Sequence, residues 1–269
     1  MGGSINQGHI FTSEIDKKYT VNKFIGSGGQ GEVYEVSSGK ERYALKWYLP
    51  QSATSQQYQI LEDLIAKGAP NENFLWPKDL VKDGNEFGYI MDLRPPEYLS
   101  MFELLKRRVE PSFRTLCLIG INLTKGFRSL HSKGWCYCDI SWGNLFINFN
   151  NGNVLICDND NAVPNYSDLG NIGGTPRFMA PEIVLGKDKP STNTDLFSLA
   201  ILLFLLFNIH HPLEGKKEYK IHCLDPHAMK EIYGMNPIFI WDPQNKANRP
   251  VPGYQQNAID FWKIYPQFL

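Results

Sequence analysis

From Tyr19 onward the chain alternates apolar and polar positions in short runs. "YTVNKFIGSG" and "GEVYEVSS" flank a glycine cluster, and "ERYALKWYL" continues the same period of two. The pattern predicts three strands, the first two joined through the glycines. Over residues 54–68 the spacing changes to that of a helix through Tyr58, Leu61, Leu64 and Ile65, with Gly68 as its stop. "PKDLVKDGNEFGYIMDL" reads as a hairpin turning at Asp83-Gly84. "RPPEYLS", over residues 94–100, is stiffened by two prolines and reads as a linker. Beyond it the apolar positions recur at helical spacing over residues 113–134. Short strands "LFIN" and "VLIC" follow, then a loop-rich stretch over 163–192 and an apolar helix from Asp195 to Ile209. The prediction is a flexible segment over 1–17, a sheet with one helix over 18–93, and a mainly helical part over 94–269.

Composition narrows this picture only a little. The 269 residues carry 27 Lys and Arg against 28 Asp and Glu, so charge gives no reason to expect a nucleic-acid partner. A hydrophobic content of 42% fits a folded globular chain. Five cysteines, an odd number in a chain this long, do not form a disulfide framework, and reduced thiols in the cytoplasm are the expectation. Cys136-Tyr137-Cys138 has no second pair at zinc-like spacing. The run Leu196 to Phe207 is too short to cross a bilayer, and the N-terminus has neither the basic nor the apolar region of a secretory signal. No membrane segment is expected.

Candidate chemistry lies in three places. "IGSGGQGEVY" holds Gly26-Ser27-Gly28-x-x-Gly31-x-Val33 between two strands, where backbone N–H groups could approach phosphates, or where the glycines could simply make a hairpin turn. Lys46, in an apolar alternating run, could reach phosphate oxygens beneath that turn, or could be an edge-strand lysine. The helix after it offers Glu62 as an ion-pair partner for Lys46, with Asp63 as the neighbouring candidate. Asp139-x-x-x-x-Asn144 forms a short loop between helix and strand. A carboxylate there suits orientation of a hydroxyl nucleophile, and an amide oxygen suits a magnesium ion. Asp158 ends the strand after it and supplies a further hard oxygen.

In this order and spacing, the motifs resemble those of the eukaryotic-type (Hanks-type) Ser/Thr protein kinase family. The resemblance covers nearly the whole chain from Tyr19, and includes Met179-Ala180-Pro181-Glu182 and Asp195. It implies an α+β fold of two lobes, with an antiparallel sheet and one helix in the first and mostly helices in the second. It also implies transfer of the γ-phosphoryl group of ATP, with Mg2+ (or Mn2+), to a Ser/Thr hydroxyl of a protein not identifiable from sequence, and autophosphorylation as one form of that activity. By resemblance, Lys46 holds the α- and β-phosphates and pairs with Glu62. Asp139 orients the hydroxyl, and Asn144 and Asp158 bind the metal. Val33, Ala44 and Phe146 sandwich the adenine, Met91 guards the pocket, and Asp92 to Arg94 form the hinge. Thr175 matches the family's activation-segment threonine.

Departures from the family pattern are as informative as the matches. Tyr137 and Cys138 stand where the family has His and Arg, so phosphate within residues 161–178 loses its usual partner and activity without that switch is expected. Ser141 replaces a lysine near the transferred phosphate, which should slow transfer. Asn159-Asp160 replaces Phe-Gly after the metal aspartate. Asn159 reads as a hydrogen-bonding anchor, while Asp160 reads either as a second acidic oxygen near the metal or as a cap for the turn. The alternative function is a nucleotide-binding pseudokinase acting as a scaffold. A small-molecule phosphotransferase fits less well, because residues 179–182 and the helix after them belong to a peptide-docking segment in the family. The absent arginine leans toward a bacterial member, and the last residues leave room for further domains beyond 269.

Overall fold

A computed structural model describes residues 3–167, 174–255 and 257–258. It divides into two compact units. The first is Met1–Tyr98 with Leu155–Asp160, and the second is Leu99–Val154 with Asn161–Leu269. The division falls after Tyr98 rather than after Leu93, and a short return segment joins the first unit. That segment is tied in by backbone bonds from Leu75 N to Ile156 O (2.9 Å) and from Ile156 N to Asn73 O (2.7 Å).

The first unit is a six-stranded antiparallel sheet in the order β1-β2-β3-β4-β6-β5. Its strands are β1 (Ile10–Thr12), β2 (Lys18–Ser27), β3 (Gly31–Ser38), β4 (Glu41–Tyr48), β5 (Asp79–Asp83) and β6 (Glu86–Asp92). Helix α1 (Ser55–Lys67) connects β4 to β5. Thr54 caps its first turn by accepting from the Gln57 N–H, and Gly68 ends it at φ 67°. Gly84, at φ 59°, turns the β5–β6 hairpin between the paired Asp83 and Glu86. Strand β1 corrects the expectation of a flexible segment over 1–17. Phe11 is buried and packs on Trp47 at 4.7 Å between ring centroids, which supplies the apolar anchor that the surrounding polar sequence hides.

Side chains in this sheet sort onto two faces with period two. Phe11, Tyr19, Val21, Tyr34, Val36, Leu45, Trp47, Val81 and Ile90 form one buried cluster. The opposite face carries Val33, Ala44, Lys46 and Tyr48, with Met91 beside Ala44 and Tyr89 beside Lys46 across the β4–β6 ladder. The predicted site residues Val33, Ala44, Lys46 and Met91 therefore share one face because of the alternation itself.

Gly31 and the other loop glycines are required for different reasons. A methyl group on Gly31 would collide with the Trp47 carbonyl oxygen of the neighbouring strand, whereas one on Gly26 or Gly28 would meet nothing within 4 Å. Gly31→Ala is expected to lower stability by ~1–3 kcal/mol, as overpacking does, and Gly28→Ala to stay within ~0.5 kcal/mol of the parent. Denaturant melts of the two variants check this difference.

The second unit opens with β7 (Leu99–Ser100) and α2 (Met101–Leu105), and β7 pairs antiparallel with β9 (Leu145–Ile147). Helix α3 (Phe113–Ser132) is capped by Ser112 and buries Ile119, Leu123, Phe127 and Leu130 along one stripe. Strand β8 (Trp135–Cys136) pairs with β11 (Val163–Pro164), and the division between the units falls within β10 (Val154–Ile156), after Val154. A short helix α4 (Pro181–Val184) leads to α5 (Thr192–Asn208). Helix α5 starts earlier than the apolar run suggests, because Ser191 and Thr194 form a reciprocal capping box ahead of Asp195. Among the described residues no helix is long and apolar enough to cross a membrane. Residues 168–173, within the 161–178 segment where activity without a phosphate switch is expected, lie outside the described residues, as do 259–269.

Candidate active site

Within the first unit, β2 and β3 close over the glycine loop with Ser27 paired to Glu32, and the Gly28 N–H donates to the Gly31 carbonyl at 2.8 Å. At the tip of this hairpin, Gln30 accepts a bond from Lys46 Nζ at 3.1 Å. Lys46 is only 4% exposed. Its Nζ lies 2.8 Å from Asp160 Oδ2, 3.0 Å from Asp160 Oδ1 and 3.5 Å from Asp158 Oδ1. Burial favours the neutral amine, but the charges of Asp160 and then Asp158 outweigh it and hold the lysine pKa above its ordinary value.

Asp160 is the most enclosed acid of the first unit, at 2% exposure. It accepts from the hydroxyls of Tyr48 and of Tyr89, the latter at 3.0 Å. Burial works against its charge, and the Lys46 ammonium together with these bonds keeps it ionised, with its pKa below the carboxylate range. Burial and the same carboxylate push both tyrosine hydroxyls well above their usual pKa. Gln57 Nε2 completes the cluster by donating to Tyr48 Oη at 3.2 Å and to the Asp160 carbonyl at 3.1 Å.

The expected Lys46–Glu62 pair is corrected by this arrangement. Among the described residues the ion pairs of Lys46 are with Asp158 and Asp160, and Glu62 makes none with it. Leu61 and Leu64 are buried on α1, and Gln57 shares their stripe at helical spacing. Glu62 stands about 140° around the helix from Gln57, on a helix of 3.6 residues per turn. Asp63 is exposed.

Asn159 fills its buried slot by hydrogen bonding rather than by apolar packing. It is fully buried, and its Nδ2 donates to the carbonyls of Leu75 at 2.8 Å and Ile156 at 2.9 Å. This bears out the anchor reading. Asp158 adopts φ 52° and keeps its side chain 43% exposed. An exposed carboxylate on a turn fixed by Asn159 and Asp160 suits a hard cation. At the end of β6, Met91 is buried, Asp92 pairs with Lys78 at 2.6 Å, and Arg94 donates to the Tyr98 carbonyl.

Within the second unit the catalytic-loop expectation concerns Asp139. Its Oδ1 accepts from the N–H and the hydroxyl of Thr175, both at 2.9 Å, and its Oδ2 accepts from Asn144 Nδ2 at 2.9 Å. With its nitrogen committed to Asp139, Asn144 keeps its carbonyl oxygen as a donor of the kind magnesium takes. Phe146 follows on β9 and is half-buried. Asp195 fixes this loop from below. Its carboxylate accepts from the backbone N–H of Tyr137 at 2.6 Å and of Cys138 at 3.0 Å, and meets His131 Nε2 at 2.9 Å. Cys138 sits at φ 71°, a conformation that costs a non-glycine residue of order 1–3 kcal/mol. The two Asp195 bonds hold it there. Tyr137 is buried and meets the Phe127 ring edge-on at 5.6 Å.

Thr175 opens a segment held by a second buried cluster. Arg177 makes a two-pronged contact with Glu214 at 2.7 and 2.6 Å and lies 4.7 Å over the Trp142 ring. His211 Nε2 faces the Arg177 carbonyl at 2.8 Å, while its Nδ1 accepts from the Leu213 N–H, a pattern that fixes a neutral ring. Burial lowers its pKa from 6.5 to about 4, against the opposing charge of Glu214, with Arg177 and His210 adding to the depression. The folded pKa lies below the unfolded one, so the neutral ring's contribution is fully present above about pH 6.5 and is lost as pH falls toward about 4. Stability is expected to fall by ~3 kcal/mol across that window, and His211→Gln to flatten the profile. Melting temperature against pH, for both proteins, reads this out.

The sequence reading missed Tyr48, Tyr89, Gln57 and Gln30. Tyr48 and Tyr89 were legible only by alternation, Tyr48 standing two residues from Lys46 on β4 and Tyr89 two residues from Met91 on β6. Gln30 and Gln57 carried no signal of their own.

The model of the protein kinase domain family matches residues 19–264. The chain belongs to this family, and its two units are the sheet-bearing and mainly helical lobes of the kinase fold. It is similar to the probable serine/threonine-protein kinase CCRP1 of Zea mays (27% identical, over 78% of this chain and 35% of that protein). It is also similar to the serine/threonine-protein kinase plk-2 of Caenorhabditis elegans (30% identical, over 77% and 33%). A serine/threonine-protein kinase of the bacterium Myxococcus xanthus, pkn2, is 25% identical over 75% of this chain and 25% of its own. The chain thus spans about a third of the length of the first of these relatives.

Proposed function

We propose that this chain transfers the γ-phosphoryl group of ATP to a Ser or Thr hydroxyl of a protein, itself included. The observation that carries the reading is the state of Asp139, whose two oxygens are each held by a neighbour, Thr175 and Asn144, on a loop pinned to Asp195. A carboxylate fixed in this way is oriented before substrate arrives, which is the condition for accepting a hydroxyl proton as transfer proceeds. Lys46, buried and charged, supplies a fixed cation for phosphate oxygens. Asn144 and Asp158 are the oxygen donors that would hold magnesium, and a bound magnesium would neutralise phosphate charge. Val33, Ala44, Met91 and Phe146 are the apolar residues for the adenine, with Asp92 to Arg94 as the hinge and Gly26, Ser27, Gly28 and Gly31 as the loop over the phosphates. The five free thiols suit a reducing cytoplasm.

One observation favours a second reading, a nucleotide-binding scaffold. Ser141, buried at 6% exposure, leaves the catalytic loop without a cation at that position. Incubation with γ-labelled ATP and Mg2+ separates the two. Incorporation by the parent chain, lost in Asp139→Ala and Asp158→Ala, supports the kinase. Retained ATP binding with no incorporation supports the scaffold.

A further inference from the structure

We infer that Asp160 is the positioning residue of Lys46, taking the part expected of Glu62, so that one turn carries both the lysine's anchor and the metal aspartate. Phosphoryl transfer on this fold requires two conditions together: a strand lysine held by an acid, and an aspartate presented to magnesium. In the expected arrangement the first condition depends on a helix and the second on the turn after the catalytic strand. Here both oxygens of Asp160 lie within 3.0 Å of Lys46 Nζ, and Asp158 is two residues away on the same turn.

Three features make Asp160 a built anchor rather than a chance neighbour. Its carboxylate is oriented by two tyrosine hydroxyls, from β4 and from β6, which flank Lys46 in the ladder. Its backbone carbonyl is held by Gln57 of α1. The residue before it, Asn159, ties the turn to the carbonyls of Leu75 and Ile156. Helix α1 therefore contributes a neutral amide to the lysine's surroundings and no carboxylate. Displacing α1 removes no charge from Lys46, whereas moving the 158–160 turn removes its anchor and shifts the metal aspartate together.

The inference rests on the kinase reading, and its test keeps the two apart. In the full chain, the dissociation constant for Mg·ATP and kcat are measured for the parent, Asp160→Asn, Glu62→Gln, Lys46→Ala and Lys46→Ala/Asp160→Asn. Asp160→Asn is expected to weaken Mg·ATP binding about tenfold and lower kcat about a hundredfold, as removal of one preorganised charge does. In the Lys46→Ala background the same change should weaken binding by less than about twofold, because the two residues act as a unit. A merely structural role for Asp160 would give the same loss with or without the lysine. If the parent binds Mg·ATP without turnover, the binding half of the test stands alone. Where Asp160→Asn does not fold, Tyr89→Phe is read instead, with an expected loss in binding of about threefold that also disappears in the Lys46→Ala background. Equal losses in both backgrounds, no loss in Asp160→Asn, or a larger loss in Glu62→Gln overturns the assignment. A parent chain that binds no Mg·ATP removes the kinase reading itself, and the inference with it.

Discussion

Asp139→Asn is expected to lower phosphoryl transfer by roughly a hundred- to ten-thousand-fold, the range for loss of a positioned general base. The substitution keeps the side chain's shape. Its oxygen can still accept from the Thr175 N–H and hydroxyl, so the segment opening at Thr175 stays anchored. Its new amide group faces Asn144, whose own amide must then turn to accept rather than donate. That rotation takes the Asn144 carbonyl oxygen from where the parent holds it, so proton acceptance and metal holding weaken together. Nucleotide affinity without magnesium should change little, since no residue of the sheet is altered. Transfer of labelled phosphate, alongside the melting temperature, checks the prediction. A folded variant retaining a tenth or more of the parent rate contradicts it.

Lys46→Met is expected to destabilise the fold by ~3–5 kcal/mol, the cost of removing one partner from a buried ion pair. The side chains are similar in length, so packing changes little. What changes is Asp160, left at 2% exposure with hydroxyl partners but no cation. Removing the second charge as well, in Lys46→Met/Asp160→Leu, should recover much of the loss, because paired removal of buried charges is often neutral. The coupling between the two substitutions is then large and of opposite sign to the single losses. Denaturant midpoints for the parent, both singles and the double give the cycle. A Lys46→Met chain within ~1 kcal/mol of the parent contradicts a buried, charged pair, given the worth of an uncompensated buried carboxylate.

These results bear on how much of the molecule could be read from its sequence. Elements whose signals are local were legible: α1 between Thr54 and Gly68, the hairpin at Gly84, and the β2–β3 turn through Gly28. The loop residues Asp139 and Asn144 were legible because a loop of fixed length puts them within hydrogen-bond reach. Strand β1 was not, since one buried aromatic, Phe11, outweighs a polar surrounding only when Trp47 is there to receive it. The lysine's partner was not legible either. Glu62 sits between two buried leucines in sequence, yet which side of α1 meets the sheet is decided by tertiary packing, and that packing presents Gln57. Asp160 could be recognised as an acid on a turn. Its contact with a lysine more than a hundred residues earlier is set by the return of residues 155–160 to the first unit.

The reading as a kinase is tested most directly by one measurement: transfer of labelled γ-phosphate from ATP, followed by identification of the phosphorylated amino acid. The chain is incubated at high concentration with ATP, with and without Mg2+. The predicted result is label on serine or threonine, dependent on the metal and lowered at least about a hundredfold in Asp139→Asn. Label retained in Asp139→Asn at a tenth or more of the parent rate, or a folded parent chain that binds Mg·ATP and transfers nothing, contradicts it.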